Sequence, residues 1–188
     1  MELKKYTRLS LLLALSVVLS LIESIIPVFN GFIPGLKLGL ANTVILVVLF
    51  KFSFKDSLYV SILRVFLVGI MRTGLFSVNF FFSLSGALLS VITMSVFKKI
   101  TKLSVIGISI IGSIFHSLGQ IIIAILFVKN INMIYYLPWL LLFSIPTGLI
   151  TGVIAKELMK YINEVWFDNL YKKVYHIDYS RWIYGYIN

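Results

Sequence analysis

Apolar runs of membrane-spanning length recur along this chain, and no other feature limits its fold so tightly. A helix needs about 20 mostly apolar residues to cross roughly 30 Å of hydrocarbon. Six segments are candidates, running approximately Leu9–Val28, Leu38–Phe52, Leu58–Phe76, Asn79–Phe97, Leu103–Val128 and Tyr135–Ala155. The second is short, and the third carries two arginines, Arg64 and Arg72. All six are continuously apolar rather than alternating, which favours helices over a strand barrel. The chain is 60% hydrophobic and 13% charged, against about 45–50% and about 25% in a soluble domain. Because the excess comes in repeated blocks, one buried core cannot absorb it. The expected fold is all-α: a polytopic bundle of six transmembrane helices over residues 1–155, then a cytoplasmic, amphipathic and aromatic-rich tail over 156–188.

The charges orient the bundle. With the N terminus in the cytoplasm, 13 of the 17 Lys and Arg fall inside, among them Lys4, Lys5, Arg8, Lys51, Lys55, Lys98, Lys99 and Lys102. Lys37, Arg72 and Lys129 fall outside, and Arg64 lies within a span. The positive-inside bias therefore predicts a multi-pass protein of the cell membrane with both termini cytoplasmic. It also accounts for the net charge of +10 without a nucleic-acid partner. The first apolar run follows three cations, as in a signal peptide, but its length and the lack of an Ala-x-Ala exit favour a retained span. In the tail, Leu158, Tyr161, Ile162, Val165 and Trp166 recur at helical spacing, which suits a helix in the headgroup plane.

Polar residues inside spans are costly and so become functional candidates. Taking the helices alternately outward and inward puts Glu23, Asn42, Arg72 and Asn79 near the outer ends of their spans. His116 comes near mid-depth, with Gln120 one turn further out on the same face. Pro34-Gly35 breaks the chain just before Asn42, so Lys37 and Asn42 fall in or beside a loop at the same mouth. The expected site is thus an outward-facing pocket formed by Glu23, Lys37, Asn42, Arg72, Asn79, His116 and Gln120. Glu23 has a structural alternative, since pairing with Arg72 or Lys37 would make its burial tolerable. His116 and Gln120 could equally be interhelical glue. Tyr135, Tyr136 and Trp139 read as an interfacial aromatic belt.

Small residues at i, i+4 spacing mark close helix contacts: Ser10 and Ala14, Ser16 and Ser20, Gly148 and Gly152. Other chemistry is excluded by what the sequence lacks. There is no cysteine for disulfides, thiolate metal sites or nucleophiles, and no G-x-x-x-x-G-K-[ST] loop for ATP phosphates. The seven acids never cluster as a Mg²⁺ site for diphosphate chemistry requires. His116 and His176 are too far apart in sequence to suggest a metal pair. Neither a cofactor, a metal nor catalysis by this chain alone is expected.

Several motifs carry a family resemblance. Ser20-Leu21-Ile22-Glu23-Ser24 with Pro27, and Pro34-Gly35-Leu36-Lys37-Leu38-Gly39-Leu40-Ala41-Asn42, resemble the Gx transporter family. So do Leu84-Ser85-Gly86-Ala87-Leu88-Leu89-Ser90, His116-Ser117-Leu118-Gly119-Gln120 and Thr147-Gly148-Leu149-Ile150-Thr151-Gly152. Many members are also labelled heptaprenyl diphosphate synthase component I. That family is similar to the S components of energy-coupling factor transporters. The resemblance implies six helices with cytoplasmic termini, and an outward site for a vitamin or cofactor precursor. It also implies work with a transmembrane coupling protein and ATPase subunits. Such components dock through Ala-x-x-x-Ala in the first helix, where this chain has Ser10-x-x-x-Ala14. The alternative is a non-catalytic membrane partner of a prenyl diphosphate synthase in isoprenoid or quinone metabolism, docked through the tail.

Overall fold

The structure, a computed structural model, describes residues 2–25 and 39–162. The loop expected around Pro34, with Lys37, lies outside the described residues, as does the tail beyond Ile162. Six α-helices form the described part: α1 (Glu2–Ile25), α2 (Leu40–Lys51), α3 (Phe54–Val68), α4 (Val78–Ile100), α5 (Val105–Val128) and α6 (Leu137–Tyr161). A π-helical turn, Gly69–Thr73, continues α3, and a 3-10 turn, Ile131–Tyr136, leads into α6.

Local chemistry sets the helix starts. Ser53, Ser77 and Ser104 each accept the backbone N–H three residues on, capping α3, α4 and α5. At Ser53 the cap is reciprocal: its hydroxyl also donates to Asp56 Oδ2 at 2.7 Å. Pro138 in the first turn of α6 needs no N–H there. Lys129, at φ 53°, ends α5 in the left-handed region.

Four helical stretches are long and apolar enough to cross a membrane: Leu3–Ile25, Val78–Ile100, Val105–Val128 and Ile131–Tyr161. The second predicted segment departs most from expectation. α2 has 12 residues, only about 18 Å at 1.5 Å per residue. Beyond Asn42 and Thr43, its run from Val44 to Phe50 is apolar on every face, the pattern of a helix enclosed by protein. Val44, Val47 and Val48 have no exposed surface, and Ile45 and Leu46 have 1% each. The main core gathers on it, with Leu12 of α1, Val60 of α3, Met94 of α4 and Ile108 of α5. Leu158 and Ile162, at the start of the expected tail, also pack against this core, and α6 runs unbroken past residue 155. Around it, α1, α5 and α6 expose Leu11, Val18, Ile122, Leu126, Leu142 and Ile150. Such an apolar exterior is a lipid-facing surface.

α4, α5 and α6 pack through glycines. A Cβ on Gly119 of α5 would stand 2.8 Å from the Ser85 carbonyl oxygen and 2.9 Å from Gly86 Cα of α4. On the other side of α5, a Cβ on Gly148 would stand 2.7 Å from Ile110 Cα, and one on Gly152 2.8 Å from Ile106 Cα. The predicted Gly148/Gly152 contact is therefore intramolecular and faces α5. Hydroxyls fasten the same seams: Ser85 donates to the Gly119 carbonyl at 2.7 Å, and Ser109 and Thr151 share a hydrogen bond of 2.8 Å.

Polar contacts tie together the N-terminal ends of α1 and α3 and the C-terminal ends of α2 and α4. Lys5 Nζ lies 2.9 Å from Asp56 Oδ2, and Lys98 donates to the Leu49 carbonyl at 2.7 Å. Most lysines of the described residues sit at this end of the bundle.

Candidate functional site

At the opposite end the helices part around a cavity of about 80 Å³, room for the centres of several waters at roughly 10–15 Å³ each. All six helices and the π turn contribute to its wall. Of the sequence-predicted residues, Glu23, Asn42, Arg72, His116 and Gln120 meet there. Asn79 is exposed and stands outside the cavity; as the second residue of α4 it follows the Ser77 cap on the outer face. Ser10 and Ala14 sit on the exposed side of α1.

Glu23, 9% exposed, accepts the backbone N–H of Gly39. Gly39 holds φ 78°, the left-handed region that glycine enters without strain, and from there α2 begins. Asn42, one turn inside α2, turns its side chain toward Arg64 of α3, whose Nη1 donates to Asn42 Oδ1 at 3.3 Å. Arg64 is 7% exposed and feels the Glu23 carboxylate electrostatically. Of the two partners expected for Glu23, Lys37 lies outside the described residues. The other, Arg72, spends a hydrogen bond of 2.6 Å on the Ser24 carbonyl, while Arg64 feels Glu23 through space without a direct ion pair.

Arg64 is not among the expected pocket residues, although an arginine within a span is itself a signal. The π turn explains why Arg72 reaches α1. An extra residue per turn re-aims the end of α3, and such turns are frequent at functional sites. Gly69 permits it: a Cβ there would stand 2.9 Å from the ring of Phe80, which lines the cavity. On the α5 side, the His116 ring lies over Gly86, where a Cβ would come within 2.8 Å. Gln120 is 8% exposed. Hydroxyls complete the wall, including Ser20, Ser83, Ser113, Ser117, Ser144 and Thr147. Ser117 and Ser144 share a hydrogen bond of 2.6 Å across α5 and α6. Sequence reasoning missed these serines, because a serine in a span is also ordinary helix glue.

The chemistry on offer is recognition. The wall provides a carboxylate, two guanidinium groups, two carboxamides, an imidazole and a ring of hydroxyls around a small space. Among the described residues no three His, Asp or Glu side chains could together hold a metal ion. A lipid-facing exterior around a polar cavity defines a helical membrane protein with an internal polar chamber.

Residues 12–158 match the sequence model of heptaprenyl diphosphate synthase component I, and the chain belongs to this family, the Gx transporters. Neither a curated protein nor a solved structure matches the chain.

Proposed function

We propose that this chain is the substrate-binding membrane subunit of an uptake system, similar to an S component of an energy-coupling factor transporter. One observation carries the reading. The five sequence motifs that resemble the Gx transporters converge on the cavity: Ser20, Glu23 and Ser24, then Gly39, Ala41 and Asn42, then His116, Ser117 and Gln120, and Thr147 all line it. Gly86 of the remaining motif supports the His116 ring. A scaffold would have no need of a hydroxyl- and amide-rich chamber assembled from every helix.

In this reading all six helical segments cross the bilayer, with α2 shielded from lipid by its neighbours, and both termini are cytoplasmic. The cavity then opens outward and takes a vitamin or cofactor precursor. The exposed Ser10 and Ala14 face of α1 meets a transmembrane coupling protein, and separate ATPases drive the cycle. The chain itself is no enzyme. A second reading is favoured by the family's description as component I of a synthase: a non-catalytic membrane partner of a prenyl diphosphate synthase, engaged through residues 156–188.

Two measurements separate these. Purified protein challenged with a vitamin and cofactor panel should show one compound raising Tm, as ligand linkage requires, and should co-purify with the coupling protein and ATPases. Asn42→Ala and Gln120→Ala should each weaken that ligand by about 5- to 150-fold, the value of one buried hydrogen bond of roughly 1–3 kcal/mol. Lys37 and Asn79 belong to the test as well: Asn79→Ala should leave affinity unchanged, while Lys37→Ala reports whether the loop contributes. A chain that binds no compound, but loses a bound prenyl synthase when the tail is removed, would establish the second reading.

A further inference from the structure

Resting on that reading of the cavity, we infer that its ligand is a small soluble molecule bearing an oxyanion, a carboxylate or phosphate, and that the Arg64 guanidinium is the group that grips it. The argument begins with charge. Among the described residues the ionisable groups at the cavity are Glu23 from α1, Arg64 from α3, Arg72 from the π turn and His116 from α5. Glu23 is a single negative charge against two guanidinium groups, and it already accepts the Gly39 N–H. The chamber is therefore cationic even with His116 neutral.

Arg64 is the member of this set least able to find an answering charge in solvent. It is 7% exposed, it has five N–H donors in a rigid fork, and its hydrogen bond among the described residues is the one to Asn42 at 3.3 Å. A buried guanidinium with donors to spare, facing a wall of serine hydroxyls, is a built receptor for a planar or tetrahedral oxyanion, which it meets bidentately. Asn42 aims the fork from one side. Burial strengthens the attraction, because a guanidinium that is 7% exposed is screened less than one in open solvent. Arg72, exposed and bound to the Ser24 carbonyl, adds positive potential at the rim rather than a grip.

The test compares compounds with and without an oxyanion, on wild-type protein. Nicotinate is set against nicotinamide, pyridoxal 5′-phosphate against pyridoxal, and inorganic phosphate against sodium chloride at equal ionic strength, with Tm and titration as readouts. The anionic member of at least one pair should raise Tm and bind at least tenfold more tightly than its neutral twin. Arg64→Gln should abolish that preference, and Arg64→Lys should restore only part of it, since lysine keeps the charge without the fork. Neutral members binding as well as anionic ones would overturn the oxyanion assignment while leaving the cavity a ligand site. No stabilisation by any compound of either charge would overturn both together. Repeating the titration in phosphatidylcholine and then phosphatidylglycerol nanodiscs tests the source. Competition by phosphatidylglycerol would make the occupant a lipid headgroup and overturn the soluble-ligand proposal.

Discussion

Glu23 and Arg64 show what burial does to two residues that look unrelated in sequence, 41 positions apart. Each would be expensive alone in a low-dielectric bundle, and each lowers the cost of the other. Glu23→Gln keeps an oxygen for the Gly39 N–H but removes the charge that answers Arg64. It should therefore lower Tm, at a cost below the roughly 3–5 kcal/mol of breaking a directly bonded buried pair, because the two act on each other through space. Adding Arg64→Gln should recover most of that loss in a double-mutant cycle read by Tm. Adding Arg72→Gln in its place should recover little, since Arg72 is bound to the Ser24 carbonyl. Recovery with Arg72 and not with Arg64 would return the pairing to Arg72, which with Lys37 is one of the two the sequence suggested.

At the scale of elements, glycine decides how close α4, α5 and α6 come. Helix propensity favours Ala over Gly by about 1 kcal/mol, so a glycine in a helix needs a reason. At Gly119 the reason is the Ser85 carbonyl oxygen, 2.8 Å from any Cβ. Backbone cannot rotate aside as a side chain can, so overpacking outweighs propensity. Gly119→Ala should lower stability by about 2 kcal/mol or more, and ligand affinity should fall with it because His116 and Gln120 flank the position. Gly107 is the control. A Cβ there meets Leu103 side-chain atoms at 3.5 Å and Ser104 Oγ at 3.8 Å, ordinary contacts, so Gly107→Ala should be neutral or stabilising by up to about 1 kcal/mol. Thermal denaturation of both variants in one detergent checks the pair.

For the whole molecule, its seat in the membrane can be read by thiol labelling. The chain contains no cysteine, so a single introduced thiol reports its side without background. Lys102 is exposed between α4 and α5, and Asn132 is exposed in the 3-10 turn before α6. α5 has 24 residues, about 36 Å at 1.5 Å per residue, enough to separate the two across the hydrocarbon. Asn132→Cys should react with a membrane-impermeant maleimide on intact cells, and Lys102→Cys only after the membrane is opened. The reverse pattern would turn the cavity toward the cytoplasm.

Apolar runs act through the solvent, so the sequence by itself determined the all-helical membrane class. Counting along the runs put Glu23, Asn42, Arg72, His116 and Gln120 toward one end, whereas α3 begins at Phe54, four residues before the expected Leu58. Tertiary structure alone decided the rest, because it depends on what each helix meets. The periodicity of α2 cannot reveal an innermost helix, since an all-apolar face reads alike against lipid and against protein. The π turn at Gly69–Thr73 carries no sequence mark except a glycine whose partner, Phe80, lies on another helix. Asn79 misses the cavity because the direction of a side chain at a helix start depends on the cap and the neighbouring helix, not on depth. Arg64 became the centre of the site for the same reason: its importance comes from Asn42 and Glu23, and only the packing of α1, α2 and α3 brings them to it.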